Sequence, residues 1–197
     1  MGLIIFGVMG LYLLISLGVV TWAMSYAKKK GKSVKKWGWG AALVMYMIPF
    51  WDWIPTVAMH QYYCAKDSGF WVYKTLDQWK AENPSVIKTL VSNKGAPSTR
   101  QGDMVNYTDT YFLNQRINKV VKKSGPFLFN IWRWEQTVVD GKTSEILARY
   151  VNFSSGSGFI GGEPELRFWL HSDGCANGST HPQHQFYEFE NQVTGKQ

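Results

Sequence analysis

Charge is missing from residues 3–27 (LIIFGVMGLYLLISLGVVTWAMSYA), and acidic side chains are missing from the first 60 residues except for Asp52. The uncharged run is longer than the roughly 7–15-residue core of a secretory signal, and no basic residue precedes it. A retained anchor is therefore expected rather than a cleaved leader. Cysteine is scarce: Cys64 and Cys175 are the only two, and no C-x-x-C spacing supports a reactive thiolate. No Gly-Lys-Ser/Thr completes a Walker A loop, and no G-x-S-x-G elbow presents a nucleophilic serine. No internal repeat runs at a period of about 20–50 residues, which excludes a solenoid or propeller.

What is present begins with a second apolar run, residues 37–59 (WGWGAALVMYMIPFWDWIPTVAM), whose one charge is Asp52. A helix rises about 1.5 Å per residue, so about 20 apolar residues cover a hydrocarbon core of about 30 Å. Both runs are long enough. Between them lie six lysines, Lys28, Lys29, Lys30, Lys32, Lys35 and Lys36. Short Lys-rich loops stay on the cytoplasmic side of a membrane. The expected topology is a transmembrane helical hairpin over residues 1–59, spanning 3–27 and 37–59 with a cytoplasmic loop at 28–36. Both termini and a domain of residues 60–197 then face the periplasm from a bacterial inner membrane.

The formal net charge of +7 fits this division. Residues 1–60 carry six Lys and one Asp, whereas the rest carries fifteen Lys/Arg and thirteen Asp/Glu. The excess basicity is a topology signal. A nucleic-acid site needs basic residues clustered on one folded face, so no nucleic-acid partner is expected. The lipid bilayer is the first partner, and contact of the lysine loop with anionic headgroups is an ordinary property of such loops.

The second run admits two readings. Pro49 and Pro55 remove backbone donors and are expected to kink or end the helix. Asp52 lies between Trp51 and Trp53, and its position along the helix reaches the outer headgroup region, where tryptophans concentrate and a carboxylate meets water. The alternative for Asp52 is an intramembrane acid for ion coupling. If the second helix were only interfacial, the large domain would instead stay in the cytoplasm.

Cys64 and Cys175 both lie beyond the second apolar run. In an oxidising compartment one such pair reads as a disulfide, stabilising by about 4–5 kcal/mol in the chain-entropy model. Two free thiols or a redox pair are the rival readings. The domain that contains them is expected to be α+β, an antiparallel sheet of about four strands with one or more helices. Residues 56–68 continue the membrane helix, with Gly69 as a left-handed cap. Residues 70–76 have strand character, with a helix through Val72, Leu76 and Trp79 as the alternative, 77–83 tolerate helix until Pro84, and 92–103 read as a surface loop. Two β-rich runs, 127–139 and 143–153, meet across Asp140-Gly141-Lys142, a hairpin signature because glycine tolerates positive φ. Residues 110–121 and 166–172 are expected as further strands.

Several patterns suggest chemistry without completing it. Residues 156–161 match G-x-G-x-x-G, but a strand-like run follows where a dinucleotide site needs a helix. His171, His181 and His184, with Asp173 and Cys175, are metal-ligand types, yet no spacing matches a structural zinc class. The pairs Glu163/Glu165 and Glu188/Glu190 alternate as exposed residues would, and two carboxylates need a cleft to act as an acid–base pair. Three sequons, at Asn106, Asn152 and Asn177, matter only in a glycosylating host. No cofactor, metal or catalytic residue is therefore expected.

The segment YYCAKDSGFWVYKTL (62–76), with ARYVNFSSGSGFIGG and RFWLHSDGC within 148–175, resembles a loose group of uncharacterised proteobacterial envelope proteins. These share an aromatic-Cys-x-x-Asp-x-Gly-x-x-x-Tyr segment, here Tyr63, Cys64, Asp67, Gly69 and Tyr73, and a second cysteine, here Cys175. The resemblance implies a periplasmic disulfide domain and supplies no activity. The expected function is a non-enzymatic binding or accessory protein, such as a membrane-complex subunit or an immunity or exclusion factor, with a membrane or envelope protein as partner. The alternative is an envelope hydrolase using His171, Asp173 and the late glutamates.

Overall fold

A computed structural model gives the fold and describes residues 2–87, 91, 95, 97–156, 168–172, 174–175 and 182–194. The chain forms two compact units, Met1–Pro55 and Thr56–Gln197. The division falls a few residues before the expected boundary at 59/60, inside one continuous helix.

In the first unit, helix α1 (Gly2–Lys29) is followed by α2 (Val34–Phe50). Gly31, at φ +65°, ends α1. The amide of Lys32 reaches Ala27 O at 2.9 Å and that of Gly31 reaches Lys28 O at 3.3 Å, the paired bonds of a Schellman cap. Lys28 and Lys29 occupy the last turn, where the helix dipole favours cations. Small residues let the two helices approach: Ala23 and Ala27 are buried, and a Cβ on Gly38 would lie 3.0 Å from Met24 Cγ. The Tyr12 hydroxyl donates to Met45 O across the pair.

Helix α1 is long and apolar enough to cross a membrane by length and composition. The second run is not one straight helix. It breaks at Trp51–Asp52, after which α3 (Trp53–Asp67) begins. Pro49 lies inside α2, and Pro55 lies in the first turn of α3. Only α2 and α3 taken together match the length of a span. Asp52, expected to meet water, is 6% exposed within the fold.

The second unit is built on a six-stranded antiparallel sheet, order β1-β6-β5-β4-β3-β2. The strands are β1 (Gly69–Val72), β2 (Ser98–Gly102), β3 (Tyr107–Phe112), β4 (Ile117–Phe127), β5 (Ile131–Asp140) and β6 (Ile146–Ser155). The class is α+β, with more strands than expected. Segment 92–103, read as a loop, contains β2, a wholly exposed edge strand (STRQG) whose polar composition hid it. Segment 110–121, read as one strand, is divided by a turn. There Asn114 Oδ1 accepts from the amides of Arg116 (2.9 Å) and Ile117 (2.7 Å), so the side chain replaces a backbone turn bond. Segment 166–172, read as a strand, supplies a 3-10 turn at Phe168–Leu170 and a single bridge from Ser172 to Ser155. Gly69 opens β1 rather than capping α3.

Both faces of the sheet are partly covered. On one face lie α4 (Leu76–Glu82) and α6 (Pro182–Thr194). The first is started by a capping box between Thr75 and Gln78. Phe186, Phe189 and Val193 fall three and four residues apart on α6, forming one buried stripe against Tyr150, Ala148, Val138 and Trp79. Full burial of each large apolar side chain stabilises by about 1.5–3 kcal/mol. On the other face, α3 buries Thr56, His60 and Cys64 at four-residue spacing. Cys64 packs with Ile131, Val151 and Phe153, and Met59, Tyr63 and Cys175 complete the cluster.

A hairpin joins β5 to β6 as expected, but its loop runs over residues 141–145, and the positive φ expected of the glycine falls on Ser144 (φ +60°) instead. Asp140 is 1% exposed and fully engaged. Its carboxylate accepts from Trp79 Nε1 (2.9 Å), Arg116 Nε (2.7 Å) and the amides of Lys142 (2.8 Å) and Thr143 (3.2 Å). Burial works against its charge, but these donors outweigh burial and hold the carboxyl well below the usual carboxylate range.

Candidate functional site

A cleft of about 420 Å³ opens between the last turn of α3 and the β1, β5 and β6 strands. Period-two alternation builds its floor. Along β6, Arg149, Val151 and Phe153 share one face, and the register sets Phe153 opposite Arg133, Val151 opposite Glu135, and Arg149 opposite Trp71. Tyr63, Lys66 and Asp67 of α3 form one wall, and Phe127, at the end of β4, lies across from Tyr63 at 6.4 Å between ring centroids. Tyr63 stacks on Phe153 at 5.3 Å. The volume lies within the range of small-molecule sites, roughly 300–1,000 Å³.

Glu135 organises the charges. Its Oε1 lies 2.6 Å from Arg149 Nε, and its Oε2 lies 3.1 Å from Arg133 Nη2. Both contacts are ion pairs, and the Tyr73 side chain also bonds Arg149. Burial lowers the Arg149 pKa, yet Tyr73 and Glu135 beside it raise it overall, so the guanidinium keeps its charge. Lys66 donates to the Tyr62 hydroxyl at 3.3 Å, which with the nearby Asp67 raises its pKa. Three cations and two carboxylates therefore surround the cleft, a net charge of +1 among the described residues.

Cys64 and Cys175 fasten α3 beside this floor as a disulfide, with Cα atoms 5.4 Å apart and 111 residues of separation. The Cα spacing suits a bridge. Asn152 Oδ1 accepts from the Cys175 amide at 2.8 Å and so fixes the second cysteine, which makes this sequon asparagine a structural residue. His60 Nε2 lies 3.0 Å from Phe153 O, to which it donates, and 3.5 Å from Cys64 Sγ. His60, Cys64 and Cys175 bring three ligand-type atoms within 4.8 Å of one another. Joined sulfurs offer no thiolate to a metal, so only a reduced pair would complete such a site.

The remaining residues singled out in the sequence are dispersed. Trp51 and Trp53 are exposed on either side of the buried Asp52, and the six lysines lie in the last turn of α1, the following turn and the start of α2. His171 is exposed. Glu190 is ion-paired to Lys119 at 2.7 Å, and Glu188 lies 3.3 Å from His184. Asp173, His181, Asn177, Glu163, Glu165 and most of the G-x-G-x-x-G segment lie outside the described residues.

Sequence reasoning missed Arg133, Glu135, Arg149 and His60. A signal was present for two of them: Arg149 interrupts an apolar period-two stripe with Val151 and Phe153, and His60 sits four residues before Cys64. Their partners come from distant strands, so neither signal named a site. No family model matches the chain, and no curated protein or solved structure matches it.

Proposed function

We propose that this protein is a membrane-anchored binding module whose second unit presents the cleft to a membrane or envelope partner. The observation that carries this reading is the cleft itself: aromatic walls, two guanidinium groups set on one carboxylate, and a volume suited to a small molecule or a partner side chain. Aromatic and arginine side chains dominate binding hot spots, because they combine large contact area with directional donors.

In this reading residues 3–27 and 37–59 form the helical hairpin in a bacterial inner membrane. The lysine turn stays in the cytoplasm, and residues 60–197 lie in the periplasm. Support comes from the concentration of six lysines at the hairpin tip and from the Cys64–Cys175 bridge, since disulfides persist in oxidising compartments.

Two measurements test the proposal. Protease added to intact spheroplasts is expected to digest the chain beyond residue 60, with inverted vesicles protecting it; the reverse pattern sinks the topology. A photo-crosslinking residue at Trp71, on the cleft rim, is expected to capture a membrane or envelope protein in stoichiometric yield from cells. The same residue on the opposite edge, at Arg100, is expected not to. Equal capture at both positions, or none at Trp71, sinks the binding role.

A further inference from the structure

We infer that the cleft is an oxyanion site: it takes a carboxylate or phosphate group carried next to an apolar or aromatic moiety. The inference rests on the binding-module reading and names the chemistry of its ligand.

The charges are the first ground. Arg133 and Arg149 flank Glu135 from two strands, and one carboxylate neutralises only one of two guanidiniums. Both are about one-third exposed, so each retains donors on its free edge. A guanidinium has five N–H groups in a planar fork; Glu135 meets Arg149 at Nε and Arg133 at Nη2, and the Tyr73 side chain also bonds Arg149, which together use only part of each fork. Glu135 positions the forks rather than consuming them, as a supporting residue does for a binding group.

The contrast with the Asp140 cluster is the second ground: that carboxylate is 1% exposed and takes four donors from within the fold, whereas Arg133 and Arg149 keep about one-third of their side-chain surface exposed beside the cleft.

The walls are the third ground. Trp71 is 40% exposed and Phe127 is 43% exposed, and both line the cleft beside the arginines. An apolar or aromatic group attached to the anion would cover them. A bare inorganic ion would leave them in water, so the preferred ligand carries both parts.

The test uses the full disulfide-bonded chain in a zwitterionic detergent, so that no anionic lipid competes. Calorimetric titration compares N-acetyl-phenylalaninate, its neutral amide, phenyl phosphate and inorganic phosphate. The expected result is binding of one or both aromatic oxyanions, weakened by salt, with the amide and inorganic phosphate each roughly tenfold weaker or worse. Preference between the two aromatic anions identifies the headgroup. Arg149→Gln is expected to abolish binding, and Arg149→Lys to weaken it, because an ammonium keeps the charge without the fork. Retention of the wild-type melting temperature verifies that these variants are folded. Trp71→Ala, at an exposed rim position, gives a second variant with little risk to folding and is expected to weaken the aromatic ligands alone. Equal binding of the neutral amide, unaffected binding in folded Arg149→Gln, or no binding of any probe overturns the inference. Partner capture at Trp71 that persists in Arg149→Gln would overturn it while leaving the binding module intact; loss of capture in the wild type strikes the module itself.

Discussion

Two charged clusters in the same sheet domain have opposite designs. At the β5–β6 turn, Asp140 is almost wholly buried and receives two side-chain and two backbone donors. On the α3 side, Glu135 pairs with both Arg133 and Arg149, and both guanidiniums stay part-exposed. The first cluster closes on itself and ties Trp79, Arg116 and the hairpin into one core. The second has spare donors and faces a cleft. Burial of the whole cluster, rather than the number of charges, separates a structural ion pair from one available to a ligand.

The covering helices differ in the same way. Helix α6 is held by a stripe of phenylalanines, whereas α3 is tied to its face by a covalent bridge across 111 residues. Cys64→Ser should therefore give the largest loss, about 4–5 kcal/mol in the chain-entropy model, read by urea unfolding of the non-reduced protein. A loss under about 1 kcal/mol would mean that packing of Tyr63 on Phe153 suffices and that the two faces are held alike.

Asp140→Ala comes next. It leaves Arg116 charged and Trp79 Nε1 without its acceptor, a loss of about 3–5 kcal/mol for breaking a buried pair. Denaturant midpoints check it, and a near-neutral result would dissolve the contrast between the clusters. Acid should report the same group more gently. The folded pKa of Asp140 lies below its unfolded value of about 3.9, so its stabilisation is present above that pH and is lost as pH falls toward the folded value. Asp140→Asn should flatten stability below about pH 4 while leaving the slope near neutrality unchanged. The smallest effect belongs to Arg149→Gln, within about 1 kcal/mol by thermal melting, because its ion pair is part-exposed. A loss as large as that of Asp140→Ala would make the cleft arginines structural.

The apolar N-terminal helix, the β5–β6 hairpin and the α+β class were legible because each rests on local pattern, uncharged length and two β-rich runs beside a turn, although the positive φ fell on Ser144 and not on Gly141. Strand β2 was not, since STRQG has no apolar face and becomes a strand only by pairing with β3. Nor was the Asn114 turn, where one side chain replaces a backbone bond and divides an apparently continuous strand. The cleft was legible only in fragments. Arg149 stood out as a charge among apolar neighbours, but Glu135 and Trp71 meet it through strand register, and Tyr63 arrives on a helix more than 80 residues away.

Local chemistry alone wrote the uncharged helix, its glycine-ended lysine turn and the paired strands at Asp140, because each follows from neighbours within a few residues. Tertiary structure decided the break in the second apolar run, the burial of Asp52, and the meeting of His60 with the cysteines and of Arg133 with Arg149. Those outcomes depend on which distant surfaces exclude water and on which strands lie side by side, and no short window of sequence contains that information.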